Sequence, residues 1–134
     1  MSAEGKFVML SRRVFALVLL AMPVSAFAAE KSDYTAAAFD AAQKAGKPIL
    51  VEIHATWCPT CKAQTPILAR LEADPKYAAL QVFHVDFDSQ KEAVRRFGAR
   101  MQSTLIVFKG EAETGRSVGD THPDSIASLL SKTL

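Results

Sequence analysis

The two cysteines of this chain are separated by two residues, as Cys58 and Cys61 within the segment WCPTCK, residues 57–62. This spacing brings the two sulfur atoms within bonding distance across one turn of a helix. A cysteine at the start of a helix lies at the positive end of the helix dipole, which favours the nucleophilic thiolate. We therefore expect Cys58 to attack a substrate disulfide. Cys61, one turn inside the helix and more buried, would then resolve the mixed disulfide.

Other uses of the same two thiols are open at this point. Cys58 and Cys61 could form a disulfide that only stabilises the fold, or they could supply half of a metal site. Two cysteines are too few for a dense disulfide framework, or for a four-cysteine zinc site within one chain. The elements around the pair help to decide among these uses.

Alternating strand and helix patterns surround the cysteine pair. Near-continuous apolar runs predict buried strands, and alanine-rich or amphipathic segments between them predict helices. The predicted strands are residues 49–55, 80–86, 104–108 and 113–118, and the predicted helices are residues 34–45, 59–73, 89–97 and 123–132. The last two strands are joined by so short a turn that they must be antiparallel. We therefore expect an α/β fold with a central mixed sheet of about four strands, flanked by about four helices.

The strand before the cysteines carries one acid, Glu52, six residues before Cys58. An ionised carboxylate in a strand that is buried on both faces costs several kcal/mol unless it is paired. We expect burial to favour the protonated form of Glu52 and to make this residue a proton acceptor for Cys61. The alternative is that Glu52 reaches solvent at an edge of the sheet.

At these residues the sequence resembles the thioredoxin family, over about residues 33–132. The similar segments are WCPTCK (57–62), Pro66 in the same predicted helix, FGAR (97–100), TLIVFK (104–109) and VG (118–119). The resemblance implies a thioredoxin-like fold, with Cys58 as the exposed nucleophile and Cys61 as the resolving thiol. It also implies that protein disulfides are the substrates, and that a partner protein recycles the cysteine pair.

Two buried positions differ from the family pattern. The family usually has an aspartate where this chain has Glu52, which is similar in role but longer. Val82 stands where the family commonly has a lysine near that acid. We therefore expect a buried Glu52 to lack a cationic partner in this chain.

A third difference concerns the loop before the strand at residues 104–108. The family normally has a cis-proline there, facing the cysteines, whereas this chain has Ser103. A cis peptide bond costs about 2.5–4 kcal/mol before a residue other than proline, so we expect the Gln102–Ser103 bond to be trans. We expect the substrate groove to be lined by Trp57, Pro59, Thr60, Gln102 and Ser103.

The first 28 residues have the pattern of a secretory signal peptide. Two arginines precede an uncharged stretch over residues 14–29, and the motif AFA at residues 26–28 predicts cleavage after Ala28. That stretch is too short to cross a hydrocarbon core of ~30 Å, so we predict cleavage rather than a membrane anchor. We therefore divide the chain into a signal peptide, residues 1–28, and a thioredoxin-like domain, residues 29–134. The domain is expected in the periplasm, an oxidising compartment.

The net charge of +2 gives no support for a nucleic-acid partner. Residues 1–28 hold three of the 16 basic side chains and one of the 14 acidic ones, so the remaining chain carries 13 of each. The longest basic cluster of that domain is the pair Arg95-Arg96, whereas a nucleic-acid-binding surface needs a larger basic patch. We expect contact with a membrane only through the transient signal peptide.

These patterns predict an exported thiol–disulfide oxidoreductase that exchanges the Cys58–Cys61 pair with protein disulfides. We expect a monomer that acts as a reductant, because the pair Pro59-Thr60 is similar to that of exported thioredoxin-like reductants of cytochrome c maturation. The electrons reside in the cysteine pair, so neither a bound organic cofactor nor a metal is needed. The alternative is a module that binds or delivers a metal ion or an iron–sulfur cluster through the same thiols, since Ser103 does not block their approach as a proline ring would.

Overall fold

The computed structural model describes residues 28–134, which form one mixed β-sheet with helices on both faces. The strands are β1 (Glu30–Asp33), β2 (Pro48–His54), β3 (Gln81–Asp86), β4 (Thr104–Lys109) and β5 (Ala112–Val118). The helices are α1 (Ala36–Lys44), α2 (Pro59–Glu72), α3 (Lys91–Arg96) and α4 (Pro123–Ser131), with a short 3-10 helix at Pro75–Tyr77. The predicted signal peptide lies outside the described residues, except for Ala28. Among the described helices, none combines the length and the apolar character that a membrane crossing requires.

The strand order in the sheet is β1-β3-β2-β4-β5. Strands β1 and β2 run parallel to β3, whereas β4 is antiparallel to both β2 and β5. The mixed α/β sheet predicted from the sequence is therefore confirmed, together with the antiparallel pairing of its last two strands. All four predicted helices are present, and their ends lie within two residues of the predicted ones.

The sheet has five strands rather than the predicted four or so, because the sequence does not predict β1. The four residues of β1, EKSD, are polar and exposed, so they carry none of the apolar alternation that indicates a strand. This strand forms because its backbone pairs in parallel with β3 at the edge of the sheet, a position that tolerates charged side chains. The pairing places Lys31 opposite Val82.

Strand β2 lies in the middle of the sheet and separates two hydrophobic cores. The core beside α1 and α3 is rich in aromatic rings and contains Ile49, Val51 and Ile53 of this strand. Leu50 belongs to the other core, between the sheet and helices α2 and α4. Side chains alternate along a strand, so Glu52 and His54 lie on the same face as Leu50. The buried acid and the cysteine-bearing helix α2 are therefore on the same side of the sheet.

Helix α2 begins where the sequence predicts and carries the cysteines at its start. Pro59 occupies the first helical position, where a missing backbone N–H leaves no carbonyl unpaired. Pro66 lies inside the helix and cannot donate to the carbonyl of Lys62. The helix ends at Glu72, whose carbonyl accepts the backbone N–H of Ala29 at 3.1 Å. The end of α2 is thereby fixed to the segment that leads into β1.

Candidate redox site

The two cysteine side chains meet at the beginning of α2. Cys58 caps the helix: its backbone is extended (φ −83°, ψ 113°), and its Sγ accepts a hydrogen bond from the backbone N–H of Cys61 at 3.1 Å. Both residues are free thiols in this structure. The Cys58 sulfur therefore lies among the N–H groups of the first helical turn, which have no partner within the helix and stabilise a negative charge.

Neither cysteine is exposed, so the expectation of an exposed Cys58 is wrong. Cys58 shows 1% of its surface and Cys61 shows 2%. The Cys58 sulfur turns inward because it caps the helix, and both cysteines pack against Ala55, with Phe87 beside them. A substrate disulfide can therefore reach Cys58 only when neighbouring side chains move aside.

The two thiols differ in the direction of their pKa shifts. Burial disfavours the Cys58 thiolate, but hydrogen bonds from Cys61, from the Gln102 side chain and from the Thr60 backbone outweigh it, so the pKa of Cys58 is lowered. Burial, together with the hydrogen bond to Cys58, raises the pKa of Cys61 to about 11. Cys58 is therefore the thiol that ionises first, whereas Cys61 keeps its proton at neutral pH.

The loop before β4 lies against the cysteine pair. No peptide bond within residues 28–134 is cis, so the Gln102–Ser103 bond is trans, as the sequence predicts. Ser103 is buried and has a φ of 58°, in the left-handed region that residues other than glycine rarely adopt. Its backbone N–H, which a proline would lack, donates toward the Cys61 sulfur. Gln102 and Ser103, both predicted for the site, thus each contribute a donor to one of the two thiols.

Gln64, which is not among the predicted site residues, holds this loop against α2. The residue is buried in the helix, and its side-chain amide donates to the backbone carbonyls of Ser103 at 3.2 Å and Asp120 at 2.9 Å. It therefore connects the cysteine helix with two loops. The one signal for it in the sequence is its position three residues after Cys61, which places both side chains on one face of the helix.

Replacing Gln64 with leucine should lower the free energy of unfolding by about 1–3 kcal/mol, because two carbonyls that face the helix lose their donor. Urea unfolding followed by circular dichroism measures this change. Gln81→Leu is a matched control, because the Gln81 amide donates to the exposed carboxylate of Glu30. We expect the control to change the free energy by less than about 0.5 kcal/mol. Equal losses in the two variants would speak against the anchoring role of Gln64.

The other residues predicted for the substrate groove are the neighbours of Cys58 in the chain. Trp57 is 56% exposed and is therefore not a core residue; its indole N–H donates to the Asp88 carboxylate at 2.7 Å. Pro59 is exposed and Thr60 is half-buried. These side chains are accessible to a partner, and their contact with substrate stays a prediction.

Glu52 is buried in the middle of the sheet, but it does not lack a cationic partner. It is 6% exposed, which excludes the alternative of a solvated acid at the edge of the sheet. The ammonium group of Lys31 contacts both carboxylate oxygens of Glu52, at 2.9 and 3.0 Å. The expectation of an unpaired acid is wrong because the cation comes from β1, the strand that the sequence does not predict.

The residue beside Glu52 on the neighbouring strand is His84 rather than Val82. In the parallel pairing of β2 with β3, Glu52 stands opposite His84, and Val82 stands opposite Leu50. Lys31 pairs with Val82 from the other side of β3, so its side chain crosses over that strand to reach Glu52. The role of Glu52 as a proton acceptor for Cys61 stays a prediction, and its place on the face that α2 covers is consistent with it.

The described residues offer no ready metal site. Within residues 28–134, no three His, Cys, Asp or Glu side chains are placed to hold one metal ion. His54 contacts His84, with ring centroids 4.9 Å apart. A metal ion or cluster held by Cys58 and Cys61 would therefore need further ligands from a second molecule.

Known proteins are similar to this chain over most of the described domain. The sequence profile of the family described as Thioredoxin matches residues 30–132. A thioredoxin of Chlamydia muridarum is 38% identical over 84 residues, which cover 63% of this chain and 80% of that protein. The protein disulfide-isomerase erp38 of Neurospora crassa is 38% identical over 76 residues, which cover 55% of this chain and 21% of that protein.

A solved structure has the same fold. The crystal structure of Trxlp from Edwardsiella tarda EIB202 matches this structure with a TM-score of 0.74 at 42% sequence identity, covering 75% of this chain and 98% of that one. The family match spans residues 30–132 and includes the cysteine pair at the beginning of α2. This chain therefore belongs to the thioredoxin family of thiol–disulfide oxidoreductases.

Proposed function

We propose that this thiol–disulfide oxidoreductase is exported and reduces protein disulfides, with Cys58 as the nucleophile and Cys61 as the resolving thiol. The observation that carries the proposal is the contact between the two cysteines, in which Cys58 Sγ accepts the Cys61 N–H at 3.1 Å. Cys58 is thereby favoured as a thiolate, while Cys61 is held close to it as a thiol.

The reaction balances within the cysteine pair and its substrate. The Cys58 thiolate attacks one sulfur of the substrate disulfide, a new S–S bond forms, and the other substrate sulfur leaves as a thiolate. Cys61 then loses its proton and attacks the Cys58 sulfur, which forms the Cys58–Cys61 disulfide and releases the second substrate thiolate. Two electrons pass from the cysteine pair to the substrate, and we assign the Cys61 proton to Glu52.

The groups around the thiols favour a reductant. The pKa of Cys58 is lowered, against the effect of burial, by uncharged donors from Cys61, Gln102 and Thr60. Uncharged donors stabilise a thiolate less than charged partners do, and strong stabilisation of the reduced form is what makes a dithiol protein a strong oxidant. Cys61, with a pKa of about 11, adds no second thiolate at neutral pH. The reduced form of the Cys58–Cys61 pair therefore gains little stabilisation, and the pair passes its electrons to the substrate disulfide.

Equilibration with glutathione redox buffers tests the direction of electron flow. We expect a reduction potential more negative than about −200 mV, which is on the reducing side of protein disulfide isomerase. The fraction of reduced protein is measured by alkylation of the free thiols and mass spectrometry, with Cys61→Ser as the control that cannot form the internal disulfide. A less negative potential would identify an oxidant and overturn this part of the proposal.

The proposal of export is supported by residues 1–28, which have the pattern of a signal peptide. In an oxidising periplasm the reductant needs a partner protein that returns its electrons. Amino-terminal sequencing of the chain isolated from that compartment is the test, with Ala29 as the expected first residue. An uncleaved chain in the cytoplasm would refute export.

We place the protein substrate against the surface next to the cysteines, where Trp57 and Met101 are both more than half exposed. One chain supplies both thiols, so the reaction needs no second copy, and we propose that the protein acts as a monomer. Light scattering of the active protein measures its mass in solution. Activity that requires two associated chains would contradict this assignment.

A further inference from the structure

Three charged side chains meet beneath the end of α2. Lys31 Nζ lies 2.9 Å from Glu52 Oε2 and 3.7 Å from Glu72 Oε1. Glu72 is the last residue of α2, and Lys31 Nζ lies between its carboxyl group and that of Glu52. Two acids thus share one ammonium ion, and full ionisation would leave this group with one excess negative charge.

The surroundings of this group disfavour that excess charge. The side chains of Glu52 and Glu72 are 7% and 14% exposed, against 42% for Lys31. Glu72 Oε1 is buried and has no hydrogen-bond partner among the described residues. The carboxyl end of a helix also disfavours a negative charge. A proton held between the two carboxyl groups removes the excess charge and provides the missing hydrogen bond.

We propose that Glu52 and Glu72 hold one proton between them, and that Glu72 is the group through which the Glu52 proton exchanges with solvent. The consequence for catalysis rests on the proposed function, in which Glu52 accepts the Cys61 proton. That proton moves from the Cys61 sulfur to Glu52, passes to the Glu72 carboxyl group, and leaves to water beside the exposed part of Lys31. Glu72 contacts no substrate atom. It acts on the reaction through Glu52, by taking the proton from that residue and releasing it to solvent.

The electrostatic setting agrees with this assignment. Burial and the neighbouring Glu52 raise the pKa of Glu72 to about 7, although Lys31 opposes the shift. On this face of the sheet, the other titratable groups of β1, β2 and β3 are Asp33, His54, His84 and Asp86; β4 adds Lys109, and Tyr77 packs in the same core. Burial and the nearby His84 lower the pKa of His54, which disfavours the charged form of that ring. Glu72 therefore keeps its proton below about pH 7 and loses it above.

Titration of the glutamate carboxyl carbons by NMR, in the reduced chain as isolated from the cell, tests the shared proton. We expect the Glu72 signal to move at about pH 7, and the Glu52 signal to respond in that same step because the proton is shared. Separate curves, with Glu72 titrating near the ordinary glutamate value of 4.5, would overturn the proposal. This measurement needs no variant, so it decides the question even where a substituted chain does not fold.

Three variants test further whether Glu52 and Glu72 share one proton. Glu72→Gln should remove the response that the Glu52 signal shares with Glu72, whereas Glu92→Gln, at an exposed position of α3, should leave the Glu52 signal unchanged. Lys31→Met removes the cation and should move the shared step upward by about one pH unit or more. A Glu52 curve that Glu72→Gln leaves unchanged, or a step that Lys31→Met does not move, would overturn the proposal.

The kinetics of the resolving step test the exchange route. We expect Glu72→Gln to shift the pH midpoint of that step and to leave the attack by Cys58 unchanged, whereas a merely structural role would alter both. Stopped-flow fluorescence of Trp57, next to Cys58 in the chain, follows both steps, with Glu92→Gln as the control. An unshifted pH profile would overturn the exchange route. If the wild-type chain catalysed no exchange, the proposed function would fail, and the NMR titration would still decide on the shared proton.

Discussion

Serine in place of Cys58 is expected to reduce the exchange with protein disulfides to the rate of the uncatalysed reaction. A serine hydroxyl does not ionise near neutral pH, so the variant offers no nucleophile to a disulfide sulfur. The fold should persist, because serine is a favoured residue at a helix cap and its Oγ can accept the Cys61 N–H that the Cys58 sulfur accepts. Reduction of a disulfide-containing protein such as insulin measures activity, and circular dichroism checks the fold.

The matched control is Cys61→Ser, which makes the same chemical change three residues along the chain. This variant keeps the Cys58 thiolate, so the first attack proceeds and the mixed disulfide accumulates instead of turning over. The two variants should therefore differ in the step at which the reaction stops. Wild-type turnover by the Cys58→Ser variant would refute Cys58 as the nucleophile.

Glutamine in place of Glu52 is expected to slow the resolving step at neutral pH by about a hundredfold or more, within the range that a positioned general base contributes. Cys61 has a pKa of about 11, so it must lose a proton before it can attack. Without an acceptor, the rate follows the small fraction of Cys61 thiolate and rises about tenfold per pH unit up to about pH 11. Rapid acid quenching of the mixed disulfide measures this step.

The pH dependence separates a general base from a structural role of Glu52. The rates of the wild type and of Glu52→Gln should converge as the pH approaches 11, where Cys61 ionises without help. Glutamine keeps the size of the side chain and one oxygen that can accept the Lys31 hydrogen bond. The attack by Cys58 is an internal control and should be unchanged. Equal resolving rates at pH 7, or the same slowing at every pH, would rule out the assignment of Glu52 as the acceptor.

The start of α2 could be predicted because residues close together in the sequence determine it. The buried strand, Pro59 at the first helical position and two cysteines one turn apart all lie within residues 48–62. The burial of Cys58 could not be predicted in the same way. It depends on the side-chain direction, since the sulfur turns inward to accept the Cys61 N–H.

The surroundings of Glu52 could not be predicted because three distant segments form them. Lys31 lies 21 residues before Glu52, on a strand whose four exposed polar residues carry no strand pattern. Glu72 reaches the same place from the end of α2. Only the pairing of β1 with β3, and of β3 with β2, brings the lysine to the acid, and that pairing is a long-range property of the fold.

The role of Gln64, a polar residue in the core, could not be predicted from the sequence either. Its side chain supports the Ser103 carbonyl and the Asp120 carbonyl, which lie 39 and 56 residues away in the chain. A glutamine within a helix has no local feature that indicates burial. Its importance becomes visible only when the loop before β4 and the loop after β5 are placed against α2.

The most direct test of the central claim is the location of the trapped mixed disulfide. The reduced Cys61→Ser variant is mixed with a disulfide-containing protein and quenched with acid, and peptide mass spectrometry identifies the linked residue. We predict one adduct, joined through Cys58, and no adduct in the Cys58→Ser variant, where Cys61 holds its proton with a pKa of about 11. Absence of an adduct in Cys61→Ser, or an equal yield through Cys61 in Cys58→Ser, would contradict the assignment of nucleophile and resolving thiol.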